Sequence, residues 1–126
     1  MKRVLVIEDN ENNMELISFI LSRNGYSVVR AETGMEGLEL AMKIKPDLVI
    51  LDIQLPDIDG TVVLRNLKQR GLHRVTPIIA MTSFAMAGDR ESLIEAGCSG
   101  YIEKPIDPDR VVSQIEEILD AFVCEY

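Results

Sequence analysis

Four short runs of apolar, mostly branched residues punctuate the chain: residues 4–7 (VLVI), 26–29 (YSVV), 48–51 (LVIL) and 78–81 (IIAM). Each is too short for a helix, and such near-continuous runs predict strands buried on both faces. Residues 100–102 (GYI) make a weaker fifth. Between them apolar residues recur at helical spacing: Met14, Ile17, Ile20 and Leu21, then Leu38 and Met42, then Val63, Leu64 and Leu67, then Leu93 and Ile94. These predict amphipathic helices, so the chain reads as a βα unit repeated five times. Thr33 and Glu36 fit a capping box. Asp107-Pro108 sets a cap before a proline that opens a last helix over 108–122. Asp59-Gly60 reads as a turn and cap ahead of a helix starting near Thr61. Gly25, Gly71 and Gly97 fall where helices stop, and the left-handed conformation needed there explains them without chemistry.

Regular βα alternation calls for a parallel sheet covered by helices on both faces, a three-layer sandwich. In such sheets ligands bind beyond the carboxyl ends of the strands, where strand order reverses. The 126 residues suit one domain spanning 1–126, with a single sizeable core. Composition narrows the function classes. Charged residues make up 27% and hydrophobic ones 47%, as in a globular protein, and no segment reaches the roughly 18 apolar residues of a membrane span. The first apolar run meets Glu8 and Asp9 too soon for a signal peptide, so a cytoplasmic setting without membrane contact is expected. Thirteen basic against twenty-one acidic residues give a net charge of -8, which argues against direct binding of nucleic acid. Cys98 and Cys124 have neither redox nor zinc spacing and read as packing residues, as do Met81, Met86 and the other methionines.

The strand ends carry the candidate chemistry. The first finishes in Glu8-Asp9, the third in Asp52, the fourth in Thr82-Ser83 and the fifth in Glu103-Lys104-Pro105, all at one edge of the expected sheet. Any one acid there is ordinarily a solvated loop residue or a helix cap. Three carboxylates brought together repel one another, and a bound cation removes that cost. Magnesium, with its preference for carboxylate, phosphate and water oxygens, matches the supply. A carboxylate beside it can attack phosphorus and form an acyl phosphate. Lys104 would offset phosphoryl charge and the Thr82 hydroxyl would donate a hydrogen bond to the same group.

The motifs VLVI-Glu8-Asp9-Asn10, Asp47-LVIL-Asp52-IQL-Pro56, Asp59-Gly60, IIAM-Thr82-Ser83 and Tyr101-IE-Lys104-Pro105 resemble response-regulator receiver domains over almost the whole chain. Five motifs in order make the resemblance specific. It implies a doubly wound (βα)5, flavodoxin-like α/β fold with a five-stranded parallel sheet in the order 2-1-3-4-5. Asp52 would be the phosphoacceptor. Mg2+ (or Mn2+) would be held by Asp9, Asp52 and the Gln54 main-chain carbonyl, with Glu8 acting largely through water. Thr82 and Tyr101 would form a switch pair, and Lys104-Pro105 a cis bond aiming the lysine inward. Glu8 replaces a common aspartate, and Gln54 and Phe84 occupy positions that vary in the family and bear on phosphoryl lifetime. The segment from Thr82 to Asp89 is similar to single-domain regulators of the DivK type and to receivers attached to hybrid kinases.

Two rival readings remain. Asp57-Ile58-Asp59-Gly60-Thr61 mimics the nucleophile motif of haloacid-dehalogenase phosphohydrolases, but Gln54-Leu55-Pro56 separates it from the strand that motif should follow. A flavodoxin-like cofactor binder shares the architecture, yet Glu8-Asp9 would repel the phosphate its first loop must cradle. His73, the only histidine, is expected in an exposed loop far from the acids. The phosphoryl donor must then be another molecule: a sensor histidine kinase, a histidine phosphotransfer protein or a small acyl phosphate. With no room expected for an output domain after the last helix, output would be a protein contact on the face of the fourth helix, fifth strand and fifth helix.

Overall fold

A computed structural model of the chain describes residues 2–83 and 87–123, and of residues 87–89 the backbone alone. Five strands, β1 (Lys2–Ile7), β2 (Tyr26–Ala31), β3 (Leu48–Asp52), β4 (Ile78–Thr82) and β5 (Gly100–Glu103), form one parallel sheet in the order β2-β1-β3-β4-β5. The main helices are α1 (Glu11–Arg23), α2 (Gly34–Ile44), α3 (Gly60–Gln69), α4 (Ala87–Ala96) and α5 (Val111–Ala121). A single helical turn, Leu72–Val75, precedes β4.

The unbroken apolar runs follow from serving two cores at once. Side chains alternate across a strand. Val4 and Val6, Leu48 and Ile50, and Ile79 and Met81 therefore enter one core, with Met14, Ile17, Ile20 and Leu21 of α1 and Val111 and Ile115 of α5. Their neighbours Leu5, Ile7, Val49, Leu51, Ile78 and Ala80 enter the other, against α2, α3 and α4. Full burial of each Leu or Ile contributes roughly 1.5–3 kcal/mol. Leu51→Ala, which would leave a cavity under α3, costs about 2–5 kcal/mol by the same reasoning. Chain direction then creates the crevice: β2 lies on one side of β1 and β3 on the other, so strand order reverses between β1 and β3.

Caps set the helix starts. The Asn10 side chain accepts the Asn13 N–H at 2.9 Å to open α1, and Asp59 accepts the Thr61 N–H at 2.8 Å to open α3. At α2 the Thr33 hydroxyl accepts the Glu36 N–H at 3.1 Å, while the Glu36 carboxylate reaches back to the Glu32 N–H at 3.2 Å, one residue before the cap itself. Helix α5 starts later than its proline suggested. Asp107 opens a preceding turn, taking the Asp109 N–H on its side chain at 3.0 Å and the Val111 N–H on its carbonyl at 2.9 Å, and regular helix begins at Val111. Helix α2 ends without a glycine: Lys45 adopts the left-handed conformation, φ 49°, immediately before Pro46.

Some side-chain expectations are corrected. Ile94 and Met42 have core spacing but are 53% and 37% exposed, and Met35 is exposed as well, because α4 and α2 each bury a narrower stripe than the spacing allowed. Met14 and Met81 are buried as packing residues. His73 lies half-buried in the Leu72–Val75 turn, since Leu72 anchors that turn in the core, and not in an exposed loop. Cys98 is buried and burial pushes its thiol up to about 11, which suits packing over reactivity. Phe84, Met86 and Cys124 lie outside the described residues.

Candidate functional site

Strand register brings the first two acids together. Ile7 lies opposite Leu51, so the next residues, Glu8 and Asp52, leave neighbouring strands side by side. Glu8 and Asp52 are both almost wholly buried, whereas Asp9 is exposed. A carboxylate oxygen from each of the three lies within 4.8 Å of the others. Lys104, from the loop after β5, enters between the buried pair with its ammonium 3.0 Å from Asp52 Oδ1 and 3.3 Å from Glu8 Oε2. The Lys104–Pro105 peptide is cis, and the Lys104 N–H is fixed to the Thr82 carbonyl at 2.9 Å.

Main-chain donors hold the carboxylates further. The Gln54 N–H donates to Asp52 Oδ1 at 3.0 Å and the Asn10 N–H to Glu8 Oε1 at 3.1 Å. Glu8 Oε2 accepts no hydrogen bond and has the ammonium as its charge contact. Two buried acids against one base leave a net negative pocket. Burial first, and the Asp52 charge second, push the Glu8 carboxyl up to about 7 from an ordinary 4.5, against the pull of the Asn10 N–H and Lys104. This donor set, with one buried carboxylate oxygen lacking a hydrogen bond and an exposed acid at the rim, fits a hard divalent cation, which takes oxygen ligands and returns the missing positive charge.

Thr82 is buried at the end of β4. Alternation puts it on the side of Ala80, facing the α2–α4 core, and Tyr101, paired with Ala80 across the sheet, packs half-buried on that side. The Arg90 guanidinium of α4 lies 5.2 Å from the Tyr101 ring centroid and 3.4 Å from Glu103. Sequence reading passed over Arg90, because an arginine on an exposed helix face gives no local sign of the strand it will reach. It also dismissed Asp57. That residue is exposed in the loop after β3, well past the strand end, which removes the phosphohydrolase motif from its required context. Its carboxylate instead accepts the Gly34 N–H at 2.8 Å and the Met35 N–H at 3.0 Å at the start of α2. Those two bonds hold its carboxyl below the usual range.

A doubly wound sheet that gathers the Glu8, Asp9 and Asp52 carboxylates and the Lys104 ammonium in its switch-point crevice defines an α/β domain whose acidic cluster could hold a divalent cation. The response regulator receiver domain family matches residues 4–116, and the chain belongs to that family of two-component signal transduction. The polar-differentiation response regulator DivK of Brucella anthropi is 42% identical over 118 residues, covering 94% of this chain and 96% of that protein. Among solved structures, a CheY-like response regulator receiver domain protein from Methanospirillum hungatei superposes with a TM-score of 0.85 at 31% identity, over 95% of this chain and 94% of that one. Chemotaxis response regulator CheY4 of Vibrio cholerae, with a TM-score of 0.88, 24% identity and coverage of 94% and 98%, shares the fold. Membership implies interaction with a histidine kinase or a histidine phosphotransfer protein. No helix among the described residues is long and apolar enough to cross a membrane.

Proposed function

We propose that residues 1–126 act as one receiver domain that takes a phosphoryl group from a phosphohistidine donor onto Asp52, in the cytoplasm, and promotes its own phosphorylation and dephosphorylation. The observation that carries this reading is the packing of Glu8, Asp9 and Asp52 carboxylates within 4.8 Å, with Lys104 3.0 Å from Asp52. Asp52 Oδ1 is engaged by the Gln54 N–H and the Lys104 ammonium, and Oδ2 is the oxygen assigned to attack phosphorus. An oxygen of the carboxylate bonds to phosphorus as the donor P–N bond breaks, and the leaving imidazole takes that electron pair and then a proton. Mg2+ (or Mn2+), when held by Glu8, Asp9, Asp52 and the Gln54 main-chain carbonyl, supplies positive charge beside the transferring oxygens. Lys104 adds a second positive charge, and the Thr82 hydroxyl donates to a phosphoryl oxygen.

The same assignment supplies an output. A phosphoryl group favours whichever state of the domain aims Thr82 and Lys104 at it, and shifts the equilibrium by that difference in affinity. Movement of Thr82 vacates space on the side of the sheet shared with Tyr101, which turns inward and alters the α4-β5-α5 face where a target protein docks. Intact mass measurement after treatment with acetyl phosphate and Mg2+ tests the core of this reading. One added phosphoryl group is expected on the parent and none on Asp52→Asn. Full-yield addition to that variant, or none to the parent, would overturn the assignment of Asp52.

A further inference from the structure

The loop between β3 and α3 carries Gln54, whose N–H lies on Asp52, yet it has little secondary structure of its own. It is held at its start by that bond and at its end by the Gly60 N–H donating to the Ile53 carbonyl at 2.8 Å. Its middle is fastened from outside: Asp57 accepts the first two N–H groups of α2, from Gly34 and Met35. Helix starts leave such donors without partners inside the helix, so the loop and α2 complete one another. Ile58 reinforces the attachment, since a Cβ on Gly34 would lie 2.5 Å from Ile58 Cγ1; the helix start is bare where the loop presses on it.

We propose that Asp57 is a positioning residue for the Asp52 site, clamping the β3–α3 loop onto the start of α2 so that Gln54 is held in place before metal or phosphoryl group arrives. This inference rests on the Asp52 reading. A free loop would spread Gln54 over many placements, and binding would have to order it at that moment. The clamp removes that cost in advance. The depressed Asp57 carboxyl agrees with an ionised acceptor facing two amide donors. The alternative is that Asp57 only stabilises α2. Thr33 separates the two, because its hydroxyl caps the same helix through the Glu36 N–H, away from Asp57's two donors.

The test compares the full chain with Asp57→Ala, Asp57→Asn and Thr33→Ala, by hydrogen exchange of the Gln54 amide without metal and by Mg2+ titration of backbone amide shifts at Glu8, Asp9 and Asp52. Asp57→Ala is expected to speed Gln54 exchange about tenfold and to weaken Mg2+ binding about threefold or more, as a local opening predicts. Asp57→Asn, which keeps one acceptor oxygen, should fall between it and the parent. Thr33→Ala should lower the melting temperature yet leave both readouts near parent values. If Asp57→Ala changes them no more than Thr33→Ala does, the clamp is a helix cap and the inference fails. Absence of Mg2+ binding by the parent would instead overturn the Asp52 reading on which the inference stands.

Discussion

Replacing Glu8 by glutamine should abolish a specific pH dependence of stability in the metal-free protein. Folded Glu8 keeps its proton up to about pH 7, whereas the unfolded side chain releases it near 4.5. Between those values the folded state binds more protons, so this contribution is fully present below about 4.5 and is lost as pH rises through about 7. At roughly 1.4 kcal/mol per pH unit the interval is worth roughly 3 kcal/mol. Glutamine is neutral throughout and its carbonyl can still accept the Asn10 N–H that Glu8 Oε1 now takes. Its amide nitrogen suits Asp52 but not the Lys104 ammonium beside it, so the absolute offset of the variant is less informative than its slope. Urea unfolding in EDTA, from about pH 5 to about pH 8, should therefore show the parent losing roughly 3 kcal/mol relative to Glu8→Gln. By melting temperature the divergence is roughly 10 °C for a domain of this size. Parallel stability curves for the two proteins would refute the claim that the buried Glu8 charge strains the empty pocket.

Three further outcomes are expected. Mg2+ should raise the melting temperature of the parent, by about 1.4 kcal/mol of stability at ten times its Kd, and Asp9→Ala should flatten that response; equal shifts in both proteins would contradict a shared cation site. Thr82→Ala should still become phosphorylated on Asp52 while giving much smaller amide chemical-shift changes around Tyr101 and along α4; parent-sized changes would mean that the signal leaves by another route. Gly60→Ala places a Cβ 2.4 Å from the Ile53 Cα and 2.6 Å from the Asp52 carbonyl oxygen. Because those are backbone atoms that must shift, it should cost about 2–3 kcal/mol in chemical denaturation and displace the Gln54 amide resonance, and an unperturbed variant would show the turn to be looser than described.

What could be read from sequence was local or periodic. The strands stood out because residues such as Ile50 and Leu51 face opposite cores and leave no polar gap, and Asp59 declared itself as a cap two residues from the N–H it accepts. Glu8, Asp9, Asp52 and Lys104 could be grouped because strand ends in a βα fold share one edge. Strand order came from the family resemblance, as periodicity says nothing of which strands are neighbours. Asp57 escaped because its partners lie 22 and 23 residues away, and a carboxylate in a loop looks the same whether it faces water or a distant helix. Arg90 over Tyr101 is another contact of this kind. Lys45 as a left-handed helix end was hidden by the expectation that glycine fills that place.

The division of each strand between two cores bears on how the domain emerges during synthesis. The core under α2, α3 and α4 draws its helices from the middle of the sequence, so much of it can gather while the rest is still being made. The opposite core needs α1 from near the front and Val111 and Ile115 of α5 from near the back. Val4, Val6, Ile50 and Met81 therefore stay partly uncovered until α5 leaves the ribosome, and a chain stalled before residue 111 presents that apolar surface to its surroundings.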